Sequence, residues 1–170
     1  MHLFLVGFMG AGKTHVGKAL ADVTTWPFLD MDAFIEYGEG KSISELFQVH
    51  GANGFREIER SYLKRIDEIP TTIIATGGGT PCFFNNMELI NQTGHSIYLE
   101  CSVEVLAKRL EGGKAHRPLI ANLDARELRK FIGQKLEERM PFYRKAKITV
   151  KADGRIEEIV ETIQQQLKTT

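Results

Sequence analysis

The stretch Gly7-Phe-Met-Gly-Ala-Gly-Lys13-Thr14 constrains this chain more than any other. It fits Gly-x4-Gly-Lys-[Ser/Thr], and it stands between an apolar run at residues 3–6 and a helical pattern carrying Val16, Ala19, Leu20 and Val23 on one face. A strand, a glycine turn and a helix in that order give the motif its physics. Bare glycines let backbone N–H groups curl around an anion, and the new helix points its positive end at the same place. Lys13 is expected to reach β- and γ-phosphates, and the Thr14 hydroxyl to ligate Mg2+. Gly10, Ala11, Gly12, Lys13, Thr14 and His15 are therefore the candidate nucleoside triphosphate contacts, with His15 on the helix surface and not catalytic.

The 170 residues suit one domain with a proper core. Lys plus Arg and Asp plus Glu both number 22, so no overall field recruits nucleic acid or an anionic membrane. Cys82 and Cys101 lack metal-site spacing and read as reduced packing thiols, which points to the cytoplasm. No secretory leader or membrane-spanning run is expected. The five histidines show no metal-ligand spacing; His50 and His95 read as packing or surface residues. Trp26, Phe47 and Phe55 read as core, although Phe47 and Phe55 could line an acceptor ring.

Apolar runs at 3–6, 27–29, 72–75, 96–99 and 148–150 alternate with amphipathic patterns, predicting a three-layer α/β/α domain on a five-stranded parallel sheet. Ser42-Ile-Ser-Glu45 and Asp124-Ala-Arg-Glu127 read as capping boxes opening helices. A further helix is predicted over 55–66. The last helix, with Ile156, Ile159, Val160, Ile163 and Leu167, reads as a cover facing the core. Residues 111–123 break the pattern and read as a lid. Asp30 and Asp32 follow a short strand, where ligands of open α/β sheets bind, and strand alternation would send both carboxylates to one side. The bland alternative is a helix cap near Ala33.

Six segments occur in order: the loop at 7–14, Asp30-Met-Asp32, Gly51-Ala-Asn-Gly-Phe55-Arg56-Glu-Ile-Glu59, Gly77-Gly78-Gly79, Arg117-Pro118-Leu119 and Glu138-Arg139-Met-Pro-Phe-Tyr143. Together they resemble shikimate kinases over nearly the whole chain. The resemblance implies a P-loop kinase of the nucleoside monophosphate kinase group, with strand order 2-3-1-4-5. It also implies ATP-dependent phosphorylation of the 3-hydroxyl of shikimate, a step of aromatic amino acid biosynthesis. It places the lid at about 111–124 and acceptor binding at about 31–62, in a domain spanning 1–170.

Arg56 and Arg139 match the family's two carboxylate-binding arginines, a role guanidinium geometry suits. On residue grounds alone either would read as a surface ion pair with Glu57, Glu59 or Glu138. Glu59 matches the glutamate that orients the substrate arginine. Gly77, Gly78 and Gly79 imply backbone contact with the acceptor, Pro118 and Leu119 its flanks. Asp32 implies a hydrogen bond to the reacting hydroxyl, as base or as orienter. Lys13 and Arg117 imply stabilisation of the transferring phosphoryl group, and Asp30 shares the metal with Thr14. Lys114, His116 and Arg117 give the lid its charge. Two positions depart from the family. Leu110 stands where an arginine usually covers adenine, so either Arg109 takes over or the base meets a more apolar face; Asn53 stands where a glutamate is frequent. MgATP and shikimate are the expected partners of a monomer, without nucleic acid or membrane. Another small-molecule kinase of the same fold, acting on gluconate or a nucleotide, is the near rival. A P-loop binding module without catalysis is the distant one.

Overall fold

The computed structural model describes residues 2–112 and 119–168. Five parallel strands, β1 (His2–Val6), β2 (Phe28–Asp30), β3 (Ile73–Ala75), β4 (Gly94–Glu100) and β5 (Ile148–Lys151), lie in the order β2-β3-β1-β4-β5. This is the expected topology. The central strand β1 is buried along its whole length, because helices cover both faces of a parallel sheet. Phe4, Leu5, Ile73, Ile74, Ile97 and Leu99 form the middle of the core.

Seven α-helices occur among the described residues: α1 (Lys13–Thr24), α2 (Met31–Glu39), α3 (Ile43–Lys64), α4 (Asn86–Thr93), α5 (Val103–Glu111), α6 (Ala125–Tyr143) and α7 (Ile156–Leu167). Both capping boxes form: Ser42 with Glu45 opens α3, and Asp124 with Glu127 opens α6. Each satisfies N–H groups that the first turn leaves without helical partners. Gly51, at φ 68° and ψ 179°, kinks α3, so the predicted break between a helix at Leu46 and another at Phe55 is real. The second half stops at Lys64 and tightens into a 3-10 turn over Arg65–Glu68.

One expectation fails at β2. The strand ends at Asp30, and Asp32 lies in the first turn of α2, so strand alternation does not set its direction. The reason is local: Asp30 Oδ1 accepts the Asp32 and Ala33 N–H groups, capping the helix and ending the strand. Cys82 and Cys101 are free thiols. No helix among the described residues is long and apolar enough to cross a membrane.

Candidate active site

The turn between β1 and α1 carries three glycines at positive φ: Gly7 at 144°, Gly10 at 82° and Gly12 at 94°. An L side chain rarely adopts such values, which explains the glycine spacing. The turn walls a cavity of about 660 Å³, together with Asp30, Asp32, Thr76 and Gly78 from the strand ends. Lys13 is buried at its base and donates from Nζ to the carbonyl oxygens of Gly7 at 2.8 Å and Phe8 at 3.0 Å. Burial pulls the ammonium down to about 8, against the favourable charges of Asp32 and Asp30.

Thr14 Oγ1 donates to Asp30 Oδ2 at 2.9 Å. Asp30 therefore caps α2 with one oxygen and accepts from Thr14 with the other. Asp32, in the first turn of α2, reaches the same cavity. Its carboxyl is open to the cavity yet crowded by protein. That crowding pushes it up to about 6, with the charges of Asp30 and Glu59 adding to the shift and Lys13 opposing it.

Three consecutive glycines follow β3, and the middle one, Gly78, lines the cavity. A Cβ on Gly77 would stand 3.1 Å from Asp32 Oδ1 and 2.9 Å from Glu59 Oε1. On Gly78 it would stand 3.2 Å from the Met9 nitrogen and 3.6 Å from Arg139 Nη1; on Gly79, 2.7 Å from Arg56 Nη2. The bare backbone thus lets two carboxylates, two guanidiniums and the phosphate loop crowd together. Glu59 is 1% exposed. It accepts from Arg56 Nη1 at 2.7 Å and from Thr80 Oγ1 at 2.5 Å, so its charge is paired despite burial. Arg139 is not held by Glu138, which is exposed and pairs with Lys135 at 2.7 Å. Its guanidinium lies 5.3 Å from the Phe8 ring centroid.

A nucleoside triphosphate loop, a carboxylate pair and two arginines around bare glycines describe a phosphotransferase with an anionic acceptor. The shikimate kinase family model matches residues 9–168. The chain belongs to the shikimate kinase family. A shikimate kinase from Parabacteroides distasonis is 49% identical over 92% of this chain and 90% of its own length. The crystal structure of shikimate kinase from Bacteroides thetaiotaomicron has a TM-score of 0.94 at 43% identity, covering 99% of this chain and 98% of that one. Shikimate kinase from Acinetobacter baumannii in complex with shikimate has a TM-score of 0.89 at 33% identity, covering 99% and 93%.

Against the shikimate kinase pattern, the nucleotide end of the site shows what local sequence missed. Ile156 and Ile159 of α7 line the cavity, so this helix is more than a core cover. Leu110 is fully buried, with side-chain carbons 3.0 and 3.1 Å from where a Gly10 Cβ would sit, and it offers the base nothing. Arg109 does line the cavity. It donates to the carbonyl oxygens of Gly10 (3.4 Å), Ala11 (3.3 Å) and Ala152 (2.8 Å), tying the phosphate loop to the segment between β5 and α7. His15 is exposed on α1 at the cavity edge, as expected. Leu119 is 70% exposed and not on the cavity wall, whereas Ile120 beside it is fully buried. Lys114, His116, Arg117 and Pro118 lie outside the described residues. Phe83, on which the sequence patterns are silent, and Tyr143, which they group with Arg139 without a role, both reach this site: Phe83 lies against Arg56, and the Tyr143 hydroxyl donates to Gly78.

Proposed function

We propose that this chain transfers the γ-phosphate of ATP to the 3-hydroxyl of shikimate, giving shikimate 3-phosphate and ADP in aromatic amino acid biosynthesis. The observation that carries it is the convergence of Asp32, Arg139 and Arg56 on Gly77, Gly78 and Gly79 in turn. Two guanidiniums suit one carboxylate. A carboxylate raised to about 6 beside the phosphate loop suits one hydroxyl.

The 660 Å³ cavity takes the triphosphate along residues 10–14, with the base toward Ile156, Ile159 and Arg109. Lys13, already directed at the inner face of the loop, stabilises charge on the transferring group. Arg56 and Arg139 hold the shikimate carboxylate, and Glu59 fixes the Arg56 plane. That grip turns the ring so that its 3-hydroxyl meets Asp32 in line with the γ-phosphorus; positioning supplies most of such a rate enhancement. Asp32 orients the hydroxyl and accepts its proton as the new P–O bond forms.

Among the described residues no cluster of three or more His, Cys, Asp or Glu side chains forms a metal cage. Thr14 and Asp30 nevertheless fit Mg2+, since their oxygens meet beside the loop and this ion keeps few protein ligands when phosphate oxygens and water fill its shell. When bound, Mg2+ would neutralise charge across the β- and γ-phosphates. Arg117 on the phosphates, Pro118 and Leu119 beside the acceptor and a lid over 111–124 belong to the proposal on sequence grounds alone. The chain would work as a cytoplasmic monomer, with no nucleic-acid or membrane partner.

The test is ADP release from MgATP with shikimate, quinate, gluconate or AMP as acceptor, and Asp32→Asn as control. Shikimate-dependent turnover, lost in a folded Asp32→Asn, is the expected result. Preference for gluconate or AMP would overturn the acceptor assignment and keep the phosphate loop. ATP binding without turnover on any acceptor would make the chain a binding module.

A further inference from the structure

Arg56 is held on more sides than its ion pair requires. Its guanidinium carbon lies 4.2 Å from the Phe83 ring centroid, 5.2 Å from that of Phe55 and 5.8 Å from that of Phe47. Phe47 and Phe55 stack on each other at 4.2 Å and both belong to α3, the helix that carries Arg56. Phe83 comes from elsewhere. It follows the 3-10 turn Thr80–Cys82, four residues beyond Gly79, and of the three rings it approaches the cation most closely.

Two facts set Phe83 apart from ordinary packing. It is 39% exposed, so burial of apolar area alone explains its position poorly. The residue after it, Phe84, sits at φ 52°, a left-handed value that bulky residues avoid. The turn thus holds an unfavourable backbone angle next to a half-open ring that lies over the Arg56 guanidinium.

We propose that Phe83 is a positioning residue for the acceptor carboxylate, acting through the face of Arg56. This rests on the shikimate reading given above. Glu59 draws on the same cation, takes one of its N–H donors and offsets its charge. A ring face attracts a guanidinium through its quadrupole and uses no N–H donor. Phe83 therefore steadies the plane of Arg56 while leaving its remaining N–H groups for a bidentate grip on the substrate carboxylate. An aliphatic side chain of similar size would fill the space and lack the attraction.

The test compares Phe83→Leu, which keeps apolar bulk, with Phe83→Trp, which keeps and enlarges the π face. Shikimate and ATP affinities are measured separately by calorimetry on each full-length protein. Phe83→Leu is expected to weaken shikimate binding about tenfold, the scale of a partly desolvated cation–π contact, with ATP affinity unchanged. Phe83→Trp is expected to stay within about threefold of the parent for both ligands. Unchanged shikimate binding in Phe83→Leu overturns the proposal. Equal losses in the Leu and Trp variants also overturn it, because shape and not the ring face would then matter. Parallel loss of ATP affinity in Phe83→Leu would make the residue a structural prop and overturn the proposal too. Failure of the unsubstituted chain to bind shikimate removes the shared reading itself, and is recognised before any variant is made.

Discussion

The hydroxyl of Tyr143 donates to the carbonyl oxygen of Gly78 at 2.5 Å, one helical turn beyond Arg139 on α6. One helix thereby supplies a substrate arginine and pins the middle glycine of the wall that the arginine faces. Three glycines in a row have little conformational preference of their own, so their order must come from partners such as this one. Replacing Tyr143 with Phe keeps the ring, which stacks on Tyr98 at 5.2 Å, and removes only that donor. We expect a fall in Tm of roughly 2–4 °C, from about 1 kcal/mol for a half-buried carbonyl that loses its donor. The KM for shikimate should rise more than that for ATP. Equal change in both would show that Gly78 is not under specific control.

The kcat/KM for shikimate should be bell-shaped in pH. The ascending limb belongs to Asp32, raised to about 6 and needed as carboxylate. The descending limb belongs to Lys13, lowered to about 8 and needed as ammonium. In Asp32→Glu any residual activity should keep the upper limb and move the lower one. A profile flat from about pH 5 to 7 would remove Asp32 from the reacting centre.

Asp32→Asn should gain stability while losing turnover. The folded-state value of Asp32 lies above its ordinary one, so its contribution to stability is complete at low pH and disappears as pH rises through about 6. At neutral pH a charged Asp32 stands near the carboxylates of Asp30 and Glu59, and an amide relieves that repulsion. The Tm of Asp32→Asn should exceed the parent's at about pH 8, and the two should converge below about pH 3, where the Asp32 carboxyl is neutral in folded and unfolded chains alike. A lower Tm for the variant at pH 8 would contradict this account.

Glycine substitutions separate function from fold. An alanine Cβ at position 79 would meet Arg56 Nη2 at 2.7 Å, and the flexible guanidinium can yield where backbone could not. Gly79→Ala should therefore fold normally and bind shikimate at least about tenfold more weakly, since small displacements of a binding group are expensive. Gly133, inside α6, has nothing within 4 Å of the same position. Gly133→Ala should be more stable by about 0.5–1 kcal/mol in denaturant titrations, with kinetics unchanged.

Much of the site was legible because its signals are local. The loop at 7–14 and the capping boxes at Ser42 and Asp124 each lie within a few residues of chain, where spacing alone fixes the hydrogen bonds. Asp32 shows how a local rule misleads. Alternation holds only while the strand continues, and the Asp30 cap ends it first. The triple glycine announced close approach but not what approaches; Asp32, Arg56 and Arg139 come from three different helices, α2, α3 and α6. The face of α7 is apolar whether it meets the core or a cavity, so its sequence does not distinguish them. The Tyr143–Gly78 bond joins positions 65 residues apart, and no pattern in either segment encodes it.

The part played by α7 bears on synthesis at the ribosome. The phosphate loop is translated before four of the five strands, whereas Ile156 and Ile159 come only after β5 has been made. A nascent chain therefore owns the anion-gripping half of its nucleotide site long before it owns the apolar half. Stalled before Arg155, it should fail to retain a fluorescent ATP analogue that the finished chain holds. Nucleotide can reward this fold only once α7 has been made, so the earlier segments must gather without its help.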